Sequence, residues 1–321
     1  MGQLLAPRAE ASTSQVPPDQ RLAFWESHNA STLIGLTCTT HDPGGLVARE
    51  RNWDLGDVRI TDISGNQHVI ERPRHMLRTH PKDSVFACIL LKGEAFFFQQ
   101  GECVTLNAGD VIAYSTDMPY LYGFTGEMRQ LIVEADFSLL ATAGVEVRPR
   151  SVIKLDNQLR TGRLLATALR TTAHDFVKCP DSGSAPEVAA RARSLLQALV
   201  TPEDSRQALT DTACWRLLHA EMFIAERLAD PTLDATMVAR AIGISVRHLN
   251  RLFTSHGCTV NQWIWSQRLD RAREQLMCPT QRRVGIGDIA FRLGFATQAH
   301  FSRVFKARFG VNPSALRSAM H

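Results

Sequence analysis

Along residues 31–150 apolar positions come in short β-type runs, and beyond them they recur every three to four residues, as helices require. Six runs read as strands: Val58–Ile63, Val85–Leu91, Ala95–Gln99, Cys103–Leu106, Val111–Tyr114 and Gln130–Glu134. Each is rich in β-branched, aromatic and aliphatic residues. Turn signals divide them at Gly65-Asn66, Lys92-Gly93, Gln100-Gly101, Asn107-Ala108-Gly109-Asp110 and Gly123. Strands this short and this closely spaced predict a β-sandwich or barrel. Leu155, Leu159, Leu165 and Leu169 then predict one helix, and Val188, Ala192, Leu195, Leu196 and Leu199 a second. A third, from about Asp211 to Leu228, stops at Asp230-Pro231. The fold class is therefore α+β, with a mobile Pro/Ser/Gln-rich arm over residues 1–30, a β-domain over 31–150 and a helical connector over 151–214.

The remaining segment, 215–321, contains one pattern twice. Val238-Ala239 and Gly243 match Ile289-Ala290 and Gly294 at an offset of 51, and Leu249, Arg251 and Phe253 match Phe301, Arg303 and Phe305 at an offset of 52. Each copy reads as a short helix, a glycine turn and a second helix. Ser245 and Thr297 are natural N-caps for the second helices, which bury Leu249, Leu252 and Phe253 in one copy and Phe301, Val304 and Phe305 in the other. The opposite faces carry Arg247, Asn250 and Arg251, and Gln298, Ser302 and Arg303. Arg, Asn and Gln are the side chains whose paired donors and acceptors fit guanine and adenine edges. Asn261–Met277 predicts a helix between the copies, capped by Asn261 and burying Trp265, Leu269, Ala272 and Leu276. At 1.5 Å per residue it spans about 25 Å, a suitable spacer for two reading helices about one DNA turn apart.

Charge sharpens this division. Of 36 Lys/Arg and 32 Asp/Glu in the chain, 13 basic and 4 acidic residues lie between Pro231 and His321, a net of +9, which leaves −5 on the rest. The basic tail is suited to a polyanion. The seven cysteines are scattered without a C-x-x-C pair, which fits reduced thiols better than a zinc site or a disulfide frame. With neither a signal-type segment nor a long apolar run, the chain is expected to be cytoplasmic, with no membrane partner.

The stretch from about Trp215 to Arg317 resembles the AraC/XylS family of bacterial regulators. The resemblance rests on A-x-x-x-G-I-S-x-x-x-L-x-R-x-F, on R-L-x-R-A-R-x-Q-L over Arg268–Leu276, and on I-A-x-x-x-G-F…F-x-R-x-F-K-x-x-F-G-x-x-P ending at Pro313. It implies a double helix-turn-helix domain that binds double-stranded operator DNA and usually activates transcription beside RNA polymerase, in a catabolic or stress operon. Its DNA-contacting positions fall on Ser245, Arg247, Asn250 and Arg251, and on Thr297, Gln298, Ala299, Ser302 and Arg303. Ala299 departs from the polar residue often found there. Gly93…Gln99-Gln100-Gly101 and Leu106-Asn107-Ala108-Gly109-Asp110 resemble the family's cupin-like sensor domain, with Ala108 in place of the usual proline. The kinship implies a small-molecule effector, and homodimerisation is expected through the helices of residues 155–228.

For that effector the candidates are Trp53, Arg74, Arg78, Phe96, Phe98 and Tyr120. Arg72, Arg74, His75, Arg78 and His80 form a basic cluster in sequence that could meet an anion or lie in solvent. In a strand, Phe96 and Phe98 share one face and Phe97 takes the other. The rival reading is a metal-dependent cupin enzyme fused to a DNA-binding tail. His68, His75 and His80 supply no H-x-H, and no nucleophile elbow, phosphate loop or dinucleotide fingerprint occurs, so neither a cofactor nor a catalytic residue is expected.

Overall fold

The computed structural model describes residues 4–141, 148–201, 213–277 and 284–318. They fall into two units, Met1–Arg206 and Gln207–His321. In the first unit twelve described strands form two antiparallel sheets. The strands are β1 (Ala9–Ser12), β2 (Thr37–Thr39), β3 (Ala48–Asp54), β4 (Arg59–Gly65), β5 (His68–Arg72), β6 (Ser84–Lys92), β7 (Glu94–Gln99), β8 (Glu102–Asn107), β9 (Val111–Ser115), β10 (Tyr120–Phe124), β11 (Met128–Asp136) and β12 (Ile153–Lys154). The seven-stranded sheet runs β1-β3-β4-β11-β6-β9-β12 and the five-stranded sheet β2-β5-β10-β7-β8. Their inner faces share a core of Phe86, Phe97, Tyr114, Tyr122 and Phe124, as a two-layer sandwich demands.

The six predicted strands fall on β4, β6, β7, β8, β9 and β11, and the other six were not legible. β3 hides because its alternation is inverted: Arg49 and Arg51 lie on the more open face while Glu50 and Asn52 are buried. A local network makes this burial tolerable. Asn52 donates to Glu50 Oε1 at 2.5 Å, Thr61 donates to Asn52 Oδ1 at 2.6 Å, and His28 Nε2 lies 3.4 Å from Glu50 Oε1.

The expectation of a mobile arm is corrected. Ala9–Ser12 pairs with Arg49–Asn52, and buried Thr13 donates to the Leu46 carbonyl while accepting from the Ala48 N–H. Helix α1 (Arg21–Thr32) follows and buries Trp25 and Asn29. Composition missed this because the partners of the arm lie some forty residues further on.

Gly123 was read as a turn, yet it sits inside β10 opposite Phe96. A Cβ there would stand 2.2 Å from Phe96 Cζ, so the missing side chain makes room for the phenyl ring.

Three further helices cover this unit beside α2 (Arg74–Thr79): α3 (Phe137–Leu140), α4 (Arg160–Lys178) and α5 (Ala185–Val200). Leu155 is buried ahead of α4 and Leu159 is its largely exposed N-cap, so the predicted helix starts later than its leucine spacing suggested. Leu164, Leu165, Ala168 and Leu169 form the buried stripe instead.

The second unit contains α6 (Ala213–Glu226), α7 (Ala235–Ala241), α8 (Val246–Leu252), α9 (Val260–Met277), α10 (Ile286–Arg292), α11 (Gln298–Phe309) and α12 (Pro313–Ser318). The predicted start of α6 at Asp211 lies outside the described residues. Two cores organise this unit. One gathers Ala220, Ile224, Val238, Leu249, Phe253, Val260 and Ile264, and the other Leu269, Ala272, Leu276, Ile289, Phe301 and Phe305. The eighteen-residue helix α9 supplies both.

Gly123→Ala is expected to destabilise the chain by about 1–3 kcal/mol, because the methyl group must displace the Phe96 ring. Urea unfolding checks this, and Phe96→Ala should make the extra methyl far better tolerated.

Candidate nucleic-acid and effector sites

Each repeat builds a helix-turn-helix from local chemistry. Asp234 caps α7 by accepting from the Met237 N–H at 2.7 Å. The chain then turns at Gly243, whose φ of +71° disfavours any side chain, and Ser245 caps α8 by accepting from the His248 N–H. In the second copy Gly294 turns at φ +79°, and Thr297 Oγ1 caps α11 by accepting from the His300 N–H. The two reading helices end differently. After seven residues α8 tightens into a 3-10 turn over Phe253–His256 and stops at left-handed Gly257, whereas α11 runs twelve residues to left-handed Gly310.

Ser245, Arg247 and Arg251 are exposed on α8 and its cap, as are Thr297, Gln298, Ala299 and Arg303 on α11 and its cap; Ser302 is half-buried. Gln298 leans back over α10, where its Oε1 would be 3.0 Å from a Cβ added at Gly287. Asn250 does something the sequence did not suggest. Its Oδ1 accepts from the Val260 N–H at 3.1 Å and so satisfies a free donor in the first turn of α9. One of the two lone pairs of its carboxamide oxygen is thereby committed to the fold.

The expected cap of α9 shifts as well. Thr259 and Gln262 form a reciprocal capping box, the Thr259 N–H donating to Gln262 Oε1 and the Gln262 N–H to Thr259 Oγ1. Asn261 instead accepts from the Ala235 N–H and ties α9 to the start of α7. Trp265, expected in the buried stripe, is 38% exposed and packs on Phe295, with ring centroids 5.1 Å apart. Ile264 holds the buried position.

In the sandwich, the effector candidates do not converge. Tyr120 lines a small interior cavity together with Tyr114, Tyr122, His68, Gln130 and Ile132. Trp53 faces the helical layer, edge-on to Phe176 at 6.1 Å, with Nε1 donating to the Leu5 carbonyl. Phe96 packs on Gly123 and Phe98 is 46% exposed, because strand alternation turns both outward and Phe97 inward. Arg74 and Arg78 are exposed on α2. The basic cluster is also split: the Arg72 guanidinium is fully buried and donates to the carbonyls of Thr116, Gly35 and His80 at 2.9, 2.6 and 2.8 Å.

The cavity has a volume of about 20 Å³, room for a water molecule. Its lining is mostly aromatic and aliphatic, yet Tyr122 OH and Gln130 Oε1 are buried there with no hydrogen-bond partner among the described residues. Burial pushes the Tyr114, Tyr120 and Tyr122 phenols upward and holds His68 below the ordinary imidazole value, so the lining is neutral. Tyr114 and Gln130 were missed by sequence reading, whereas Tyr122 shares a strand face with Tyr120 by its i, i+2 spacing. Among the described residues no group of three His, Cys, Asp or Glu side chains could hold a metal ion, and no helix is long and apolar enough to cross a membrane.

Comparison with known proteins agrees with both halves of this architecture. A helix-turn-helix domain model matches residues 238–319, and an AraC-binding-like domain model matches residues 25–201. The transcriptional activator NphR of a Rhodococcus species is 23% identical over 296 residues, covering 90% of this chain and 87% of that protein. The arabinose operon regulatory protein of Escherichia coli is 34% identical over 104 residues, 32% of this chain and 35% of that one. The crystal structure of the AraC-like transcriptional activator CuxR aligns with 82% of this chain and 94% of its own, at 22% identity and a TM-score of 0.49.

Replacing Asn250 by Ala is expected to lower stability by about 1 kcal/mol through loss of the contact to α9. Arg247→Ala, on the exposed face, should change it by less than about 0.5 kcal/mol. Chemical denaturation of the two variants in parallel distinguishes these roles.

Proposed function

Because the chain belongs to the AraC family of DNA-binding transcription regulators, with an N-terminal AraC-binding-like domain and a C-terminal helix-turn-helix domain, we propose that it is a cytoplasmic, effector-responsive activator of a catabolic or stress operon. The observation that carries this reading is the pair of capped helices, α8 and α11, presenting Arg247, Arg251 and Arg303 outward from two cores joined by one helix. Lys and Arg of the basic tail supply salt-dependent phosphate contacts, and the two reading helices supply base choice in adjacent major-groove segments. Asn250 is tied to α9 through its oxygen, so Arg247 and Arg251 carry most of the discrimination on α8. Gln298, Ala299, Ser302 and Arg303 do so on α11, where Ala299 can meet a thymine methyl.

The effector enters the sandwich, displacing side chains around the small cavity to satisfy Tyr122 OH and Gln130 Oε1. The activator acts as a homodimer through the helices between residues 155 and 228 and engages RNA polymerase beside its operator; kinship with the transcriptional activator NphR supports the activating role.

DNA footprinting of the full chain should protect two adjacent major-groove segments per protomer. A single protected segment would sink the two-unit reading. Arg303→Ala should cost about 1–3 kcal/mol of operator binding and relax base choice at one position. Tyr122→Phe removes an unpartnered hydroxyl, so the free chain should be as stable or up to about 1 kcal/mol more so, while induction of an operator-driven reporter falls.

A further inference from the structure

Helix α9 changes allegiance between Ile264, which packs in the first core, and Leu269, which packs in the second. Arg268 stands at that crossing and is 2% exposed, an unusual burial for a cation. Its Nε donates to the Leu228 carbonyl at 3.1 Å and its Nη2 to the Asp230 carbonyl at 2.6 Å. These carbonyls follow α6, whose Ala220 and Ile224 belong to the first core. The same guanidinium lies over the Trp265 ring, 4.8 Å from its centroid, and that ring packs on Phe295 of the second core. Its third neighbour is the turn of the second repeat: a Cβ at Gly294 would stand 2.9 Å from Arg268 Cζ. Gly243, the equivalent turn in the first repeat, has open space around the same position. The two glycines share a left-handed backbone, but Gly294 alone of this pair also leaves room for a guanidinium.

We propose that Arg268 is a positioning residue for DNA reading, a planar brace that fixes the angle between the two helix-turn-helix units and so sets the base-pair spacing that the protein accepts. The proposal rests on the reading that both units engage one duplex. A rigid fork can hold two carbonyls on one side and a bare glycine turn on the other, whereas the flexible single ammonium of lysine cannot. Without the brace the shared helix and both cores persist, but the second helix-turn-helix is free to rock about α9.

The test uses the full chain and a duplex that it selects from random-sequence DNA, with one or two base pairs inserted or removed between the protected segments. A further duplex has the second segment scrambled. Each inserted base pair rotates that segment by about 35°, so the wild-type chain should lose about tenfold or more in affinity across the series. Arg268→Lys should bind the native spacing several-fold more weakly, vary by less than about threefold across the series, and match wild type on the scrambled duplex. Gly294→Ala, whose methyl displaces the guanidinium, should give the same flattened profile and covers the case in which Arg268→Lys fails to fold. A wild-type spacing preference retained by the folded variants overturns the brace while leaving two-unit reading intact. Wild-type binding indifferent to scrambling overturns two-unit reading, and the brace with it.

Discussion

A single helix that must belong to two hydrophobic cores governs the C-terminal unit. An α-helix presents one apolar stripe at a time, and α9 serves Val260 and Ile264 to one cluster before Leu269, Ala272 and Leu276 to the next. At eighteen residues it is about 27 Å long. The position of each reading helix is therefore inherited from where its core grips α9. Supporting contacts converge on the same helix: Asn250 and the Thr259–Gln262 box hold its start, Asn261 ties it to α7, and Arg308 forks onto Asp270 from α11 at 2.8 and 3.0 Å. Polar residues that look like surface decoration in the sequence are thus fasteners for one rigid axis.

The sandwich obeys a different constraint. Its interior is crowded with aromatic rings, Phe97 lying 4.3 Å from Tyr114 and 5.3 Å from Tyr122 by ring centroids, and it leaves little free space. Close packing of this kind resists small adjustments and favours discrete rearrangement. Two polar atoms in such a wall with no partner among the described residues are a local cost to folding.

What the sequence disclosed follows from the range of the interactions involved. The helix-turn-helix units were legible because a cap, a glycine turn and an apolar stripe all lie within about twenty residues of one another. The sandwich was legible as a class, since six strands carry ordinary apolar patterns. Asn250 was legible as polar and outward, but its partner Val260 lies ten residues on, across a turn, and no pattern encodes that bond. Arg72 looked like one member of a basic loop, and only the fold gathers the carbonyls of Gly35, His80 and Thr116 around it. Gly123 resembled a turn because glycine usually marks one, whereas here it answers a phenylalanine on the neighbouring strand. Of the six effector candidates, Tyr120 alone reaches the cavity, because inward and outward positions of a strand cannot be assigned before its register is known.

The pairing of β1 with β3 also bears on how the protein can be handled. β1 is the outermost strand of the seven-stranded sheet, and it covers backbone donors and acceptors of β3 that would otherwise face water. A version trimmed back to α1, on the view that the leading residues are dispensable, would bare a seven-residue edge beside a sheet already rich in apolar strands. Bare edges recruit other bare edges. The leading segment therefore shields that edge, and trimming it would expose the sheet to edge-to-edge stacking.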